Sequence, residues 1–88
     1  MTSVPAQMRE RLAALAPTQM EIGDDSALHA GHAGARLGGG HFRLTIVSPR
    51  FAGLNTVARH RLVYATLGDM MKREIHALVI TAQAPEEV

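Results

Sequence analysis

The segment HFRLTIVSPRFAGLNTVARHRLVYATLGDMMKREIHALVIT, residues 41–81, decides the fold. It opens on a two-residue alternation, with Phe42, Leu44 and Ile46 on one side and Arg43 and Thr45 on the other, the pattern of a strand with one buried face. Ser48-Pro49 stops it. At Asn55 the period becomes helical: an Asn side chain accepts from the first free backbone amides, so Asn55 is the expected N-cap of a helix reaching about Met71. The apolar stripe of that helix reads Val57, His60, Val63 with Tyr64, Leu67, and Met70 with Met71. IHALVIT, residues 75–81, is rich in β-branched residues and predicts the last strand.

Upstream, Pro5 suits a first helical turn, Met8, Leu12 and Leu15 recur on one helix face, and Pro17 is the expected stop. Thr18 to Ile22 alternates, with Met20 and Ile22 on one side, and reads as a short strand closed by Gly23-Asp24-Asp25. Next comes LHAGHAGARLGGGH, residues 28–41, with three histidines and five glycines in fourteen residues. Clustered glycine gives backbone freedom and little to bury, so residues of about 27–40 read as a mobile loop that presents histidines. Residues 83–88, ending Pro85-Glu86-Glu87, read as a loose tail.

The order helix, strand, strand, helix, strand predicts an α+β fold in a single domain over residues 1–88, with its core at about 4–82. Three strands are too few to bury both faces, so one three-stranded sheet covered on one face by two helices is the economical arrangement. The chain is 47% hydrophobic with only Phe42, Phe51 and Tyr64 as aromatics, which implies an aliphatic core.

A net charge of +1 gives no overall pull toward nucleic acid, but six basic residues (Arg43, Arg50, Arg59, Arg61, Lys72, Arg73) stand against Asp69 between positions 43 and 73. Cysteine is absent, which excludes disulfides, thiolate nucleophiles and cysteine-rich zinc sites. With no run of about 18 apolar residues and no leader pattern, the expectation is a cytoplasmic protein without a membrane partner.

His60, in the middle of the helix stripe, reads as a structural, hydrogen-bonded imidazole. His76 opens the last strand at the rim of the sheet, sharing a face with Leu78 and Ile80, and is either a core-edge residue or a ligand. His29, His32 and His41 are candidates to join it, although His-x-x-His in an extended loop fixes no geometry by itself. Two imidazoles do not fill a tetrahedral site, so a partner would complete it. Gly38-Gly39-Gly40 lacks the lysine, the hydroxyl and the following helix of a phosphate loop, and no Gly-x-Ser-x-Gly elbow is present. Enzymatic chemistry finds no support. Arg59 and Arg61 flank His60 and are expected off the apolar stripe, on a solvated or partner-facing surface together with Arg50.

Taken together, Val47-Ser48, Arg50-Phe51-Ala52-Gly53, Arg59-His60-Arg61 with Tyr64, and His76-Ala77-Leu78 resemble the BolA family, as do Asp24-Asp25-Ser26 and His29-Ala30-Gly31-His32 upstream. The resemblance spans roughly residues 8 to 85 with the motifs in order. It implies a class II KH-like fold, with Gly53 as a structural position. It further implies an adaptor that pairs with a monothiol glutaredoxin and shares a bridging [2Fe-2S] cluster in iron–sulfur trafficking or iron homeostasis, the cluster being present only with partner and glutathione. In that family the histidine of His-Ala-Leu is a ligand, which carries over to His76, and a second ligand comes from the loop between the first two strands. His29 best matches that segment, ahead of His32 and His41. The alternative role is a DNA-binding transcriptional regulator using the basic face, although a Gly-x-x-Gly clamp is missing between the helices. The isolated chain is expected to be a monomer or weak homodimer. Met70-Met71 departs from the family's usual acid followed by Leu, and Gly68 is expected to weaken the end of the long helix by about 1 kcal/mol relative to Ala.

Overall fold

The computed structural model describes residues 3–25 and 40–88. The first helix, α1 (Val4–Leu12), starts at Ser3, whose side chain accepts from the Ala6 amide, and has Pro5 in its first turn. Met8, Leu12 and Leu15 lie on one face and are all buried. The α-helix stops before Pro17: the chain tightens into a 3-10 turn at Ala13–Leu15 and reverses at Ala16, a left-handed residue with φ 50°.

Strands β1 (Gln19–Asp24), β2 (Gly40–Val47) and β3 (Ile75–Gln83) form one sheet in that order. β1 runs antiparallel to β2, and β2 runs parallel to β3. Phe42, Leu44 and Ile46 face the helices and are buried, whereas Arg43 and Thr45 point to the open face, as the alternation predicted. A parallel pair needs a crossover, and the helix α2 (Thr56–Leu67) supplies it. The sheet is therefore mixed and flanked by two helices, in the expected order.

Between β2 and α2, Ser48 is completely buried. Its hydroxyl donates to the Leu15 carbonyl at 2.5 Å and accepts from the Arg50 amide at 3.1 Å, tying the end of the first helical segment to the end of the central strand. Gly53 adopts φ +79°, which L side chains rarely take, and lets the chain turn from buried Phe51 to the N-cap Asn55. Asn55 accepts from the Ala58 amide at 2.9 Å, as expected of an N-cap.

The buried stripe of α2 differs from the expected one. Val63, Leu67 and Met70 are in the core, but Val57 is 57% exposed and Tyr64 40%. The helix is rolled so that Arg59 lies on the inward side. Its Nε donates to the Leu54 carbonyl at 2.8 Å and its Nη1 to the Ala82 carbonyl at 3.0 Å. Its two terminal nitrogens grip the Glu87 carboxylate at 2.5 and 2.7 Å. At the far end, Gly68 is the C-cap at φ +61°, and a 3-10 turn over Gly68–Lys72 keeps Met70 buried. Arg11 crosses from α1 to donate to the Leu67 carbonyl at 2.6 Å and to Asp69 at 2.8 Å.

The residues after Ala82 are not a loose tail. β3 continues to Gln83, Ala84 is fully buried in the core, and a 3-10 turn at Pro85–Glu87 is held by Arg59. Glu87 also accepts from the Ala84 amide at 2.8 Å. The Arg59 hydrogen bond, followed by that of Ala84, lowers the Glu87 pKa from 4.5 to about 2.

Two outcomes follow from these contacts. Ser48→Ala leaves the Leu15 carbonyl without its buried donor and should cost about 1–3 kcal/mol in denaturant unfolding; an unchanged midpoint contradicts the contact. Because Glu87 is depressed in the fold, its contribution is complete above about pH 4.5 and is lost as pH falls toward about 2. The Ala84 amide proton shift should titrate near the lower value, and a midpoint at the ordinary carboxylate value would exclude the clamp.

Candidate metal centre

The strand that carries His76 slips. Gly40 pairs with Ile75, but the next residue, His41, pairs with Ala77, so His76 is an extra residue opposite no partner. This is a β-bulge, and its cause lies in the core. Ile75 is 2% exposed and Leu78 packs on the same cluster, yet residues three apart in a regular strand point to opposite faces. One inserted residue reconciles them. His76, expected on the face of Leu78 and Ile80, is pushed out of that series and is exposed.

His41 starts the outward series of β2 that continues with Arg43 and Thr45, and it is half-buried. Its ring centre lies 5.2 Å from that of His76, with the planes tilted by 53°. Two imidazoles on one tetrahedral ion, each bound at about 2.1 Å, have ring centres roughly 5 Å apart. The separation matches that of two ligands to one metal atom and equally that of an ordinary tilted ring contact. Among the described residues no group of three or more histidine, aspartate or glutamate side chains gathers to hold an ion, so these two rings leave further positions to ligands from elsewhere. His29 and His32 lie outside the described residues.

The remaining site residues separate. Arg59, expected on the solvated surface, is turned inward with its side chain 13% exposed and its donors used by Leu54, Ala82 and Glu87. Arg50 and Arg61 are exposed, and His60 is half-buried. Arg43 pairs with Asp25. Two of the six basic residues that suggested a basic face are thus answered by carboxylates within the chain. The Arg59–Glu87 and Arg43–Asp25 pairs escaped the sequence reading, because partners 28 and 18 residues apart leave no periodic signal.

Comparison with known proteins adds to this geometry. The chain is 46% identical over 88 residues to SufE-like protein 1, chloroplastic/mitochondrial, of Arabidopsis thaliana, covering 93% of this chain and 24% of that protein. It is 43% identical over 86 residues to Protein BOLA1, chloroplastic, of the same plant, covering 93% of this chain and 54% of the relative. The DNA-binding transcriptional regulator BolA of Vibrio cholerae is 42% identical over 71 residues, covering 81% of this chain and 64% of that protein. The chain thus spans from about a quarter to under two thirds of the length of these relatives. The solved BolA domain of SufE1 from Arabidopsis thaliana superposes with a TM-score of 0.85 at 43% identity, covering 100% of this chain and 99% of that one.

One expectation is corrected here. A cytoplasmic location does not stand, because the two plant relatives are by name chloroplastic or mitochondrial proteins. Among the described residues no helix is long and apolar enough to cross a membrane, which does not assign a compartment. The family model for BolA-like proteins matches residues 12–87, and the chain belongs to that family.

Proposed function

We propose that the chain is a non-enzymatic adaptor of iron–sulfur cluster biogenesis that docks on a monothiol glutaredoxin and shares a bridging [2Fe-2S] cluster with it as cargo. The observation that carries this reading is the His41–His76 ring pair at the sheet rim, with His76 turned outward by the bulge. The similarity to a SufE-like protein and a BOLA1 protein supports the same pathway. A [2Fe-2S] cluster offers four ligand positions. Two imidazoles from this chain, a glutaredoxin cysteine and the thiol of glutathione fill them. Neutral imidazoles in place of two thiolates reduce the negative charge on one iron and raise the reduction potential, as in Rieske centres.

His76 is the first ligand in this reading. His41 takes the second position ahead of His29 and His32, because its ring already stands beside His76. His76 is exposed on the open face of the sheet, with Arg43, Thr45 and Thr81 exposed alongside, whereas His41 is half-buried. Arg50 and Arg61, exposed before and on α2, make no ion pair among the described residues, unlike Arg43 and Arg59, and are proposed as contacts for the partner.

A second reading, a DNA-binding regulator, is favoured by the name of the Vibrio relative. Phosphate contacts would fall to Arg50, Arg61, Lys72 and Arg73, which are exposed. In a salt titration on duplex DNA, affinity that vanishes near physiological salt with no sequence preference reduces this reading to charge attraction.

The cluster reading is tested by mixing the chain with a cluster-loaded monothiol glutaredoxin and glutathione and recording visible circular dichroism. The wild-type chain should change the spectrum, His76→Ala should abolish the change, and His41→Ala should alter it. No change with wild type, or the same change with His76→Ala, defeats the proposal.

A further inference from the structure

Two residues beyond His41, on the same face of β2, Arg43 lies across its partner in β1, Gly23. A β-carbon built on Gly23 would stand 2.6 Å from Arg43 Nη2 and 2.9 Å from its Cζ, so the guanidinium occupies the space that any other side chain at position 23 would need. From that seat it reaches Asp25, with Nε donating to Oδ2 at 2.6 Å and Nη2 to Oδ1 at 3.2 Å. Asp25 in turn donates its backbone N–H to the His41 carbonyl at 2.8 Å. The β1–β2 ladder ends at the pair Asp24 and Phe42, so this closed circuit continues the pairing one step further, at the end of β2 that carries His41.

The Arg43 side chain is 64% exposed, and an ion pair in that setting adds little to global stability. Its effect is local. The circuit meets His41 at its backbone carbonyl and so fixes the backbone from which the imidazole projects, and a site set in advance loses less freedom when it is occupied. We propose that Arg43, seated over Gly23 and forked onto Asp25, is the positioning residue that holds His41 facing His76, so that the imidazole pair is assembled before a partner arrives. The positional claim stands on this geometry, and its functional consequence rests on the cluster-sharing reading above.

Three variants separate position from charge. Gly23→Ala displaces the flexible guanidinium while keeping every charge, Asp25→Asn removes the acceptor's charge, and Arg43→Lys keeps the cation without the fork. In the chain alone, nuclear Overhauser contacts between the His41 and His76 rings should be lost in Gly23→Ala and Asp25→Asn and weakened in Arg43→Lys, with the wild-type thermal midpoint retained. Mixed with cluster-loaded monothiol glutaredoxin and glutathione, these variants should shift the visible circular dichroism from the wild-type form toward that of His41→Ala. Wild-type ring contacts in both Gly23→Ala and Asp25→Asn overturn the proposal, as does a wild-type cluster spectrum from all three variants. If the wild-type chain leaves the glutaredoxin spectrum unchanged while the ring contacts respond as expected, the cluster reading fails and the positioning role of Arg43 stands.

Discussion

Ile75 and Leu78 are both required by the core, and a regular strand cannot deliver both. Three residues apart, they would point to opposite faces, and without the slip either Ile75 or the Leu78, Ile80, Ala82 series would turn to solvent. The extra residue that resolves the conflict is His76. Packing on one side of the sheet thereby creates an outward imidazole on its rim, next to His41. The outward position of His76 is a by-product of core register, so it is as firmly specified as the burial of Ile75.

Charge is used mainly to join segments distant in sequence. Arg11 ties α1 to the end of α2, Arg43 ties β2 to the end of β1, and Arg59 ties α2 to the last turn. The first two are substantially exposed and contribute modestly, whereas Arg59 is sheltered and also satisfies two backbone carbonyls. Its removal would therefore take the arginine's hydrogen bonds from the Leu54 and Ala82 carbonyls and from Glu87, which keeps the Ala84 amide. The basic bias visible along residues 43–73 is for these reasons smaller as a surface property than as a count.

The parts of the fold that local physics controls were legible in the sequence. β2 alternates cleanly, Asn55 caps as Asn does, and Met8, Leu12 and Leu15 share a face. The roll of α2 was not legible, because Val57 and Tyr64 are as apolar as core residues and only the acceptors at Leu54, Ala82 and Glu87 make Arg59 the inward residue. The ordered last turn was hidden for the same reason, since Pro-Glu-Glu reads as solvated until an arginine from α2 is placed beside it. At the site, motif resemblance singled out His76, but its face was misread because a bulge is decided by partners across the sheet.

Tyr64 is the chain's single tyrosine, there is no tryptophan, and its ring is 40% exposed on α2. Tyrosine emission from this protein therefore originates at the edge of its aliphatic interior. A molecule landing on that side of the helix will change the intensity of this emission, making the phenol a built-in reporter of contact.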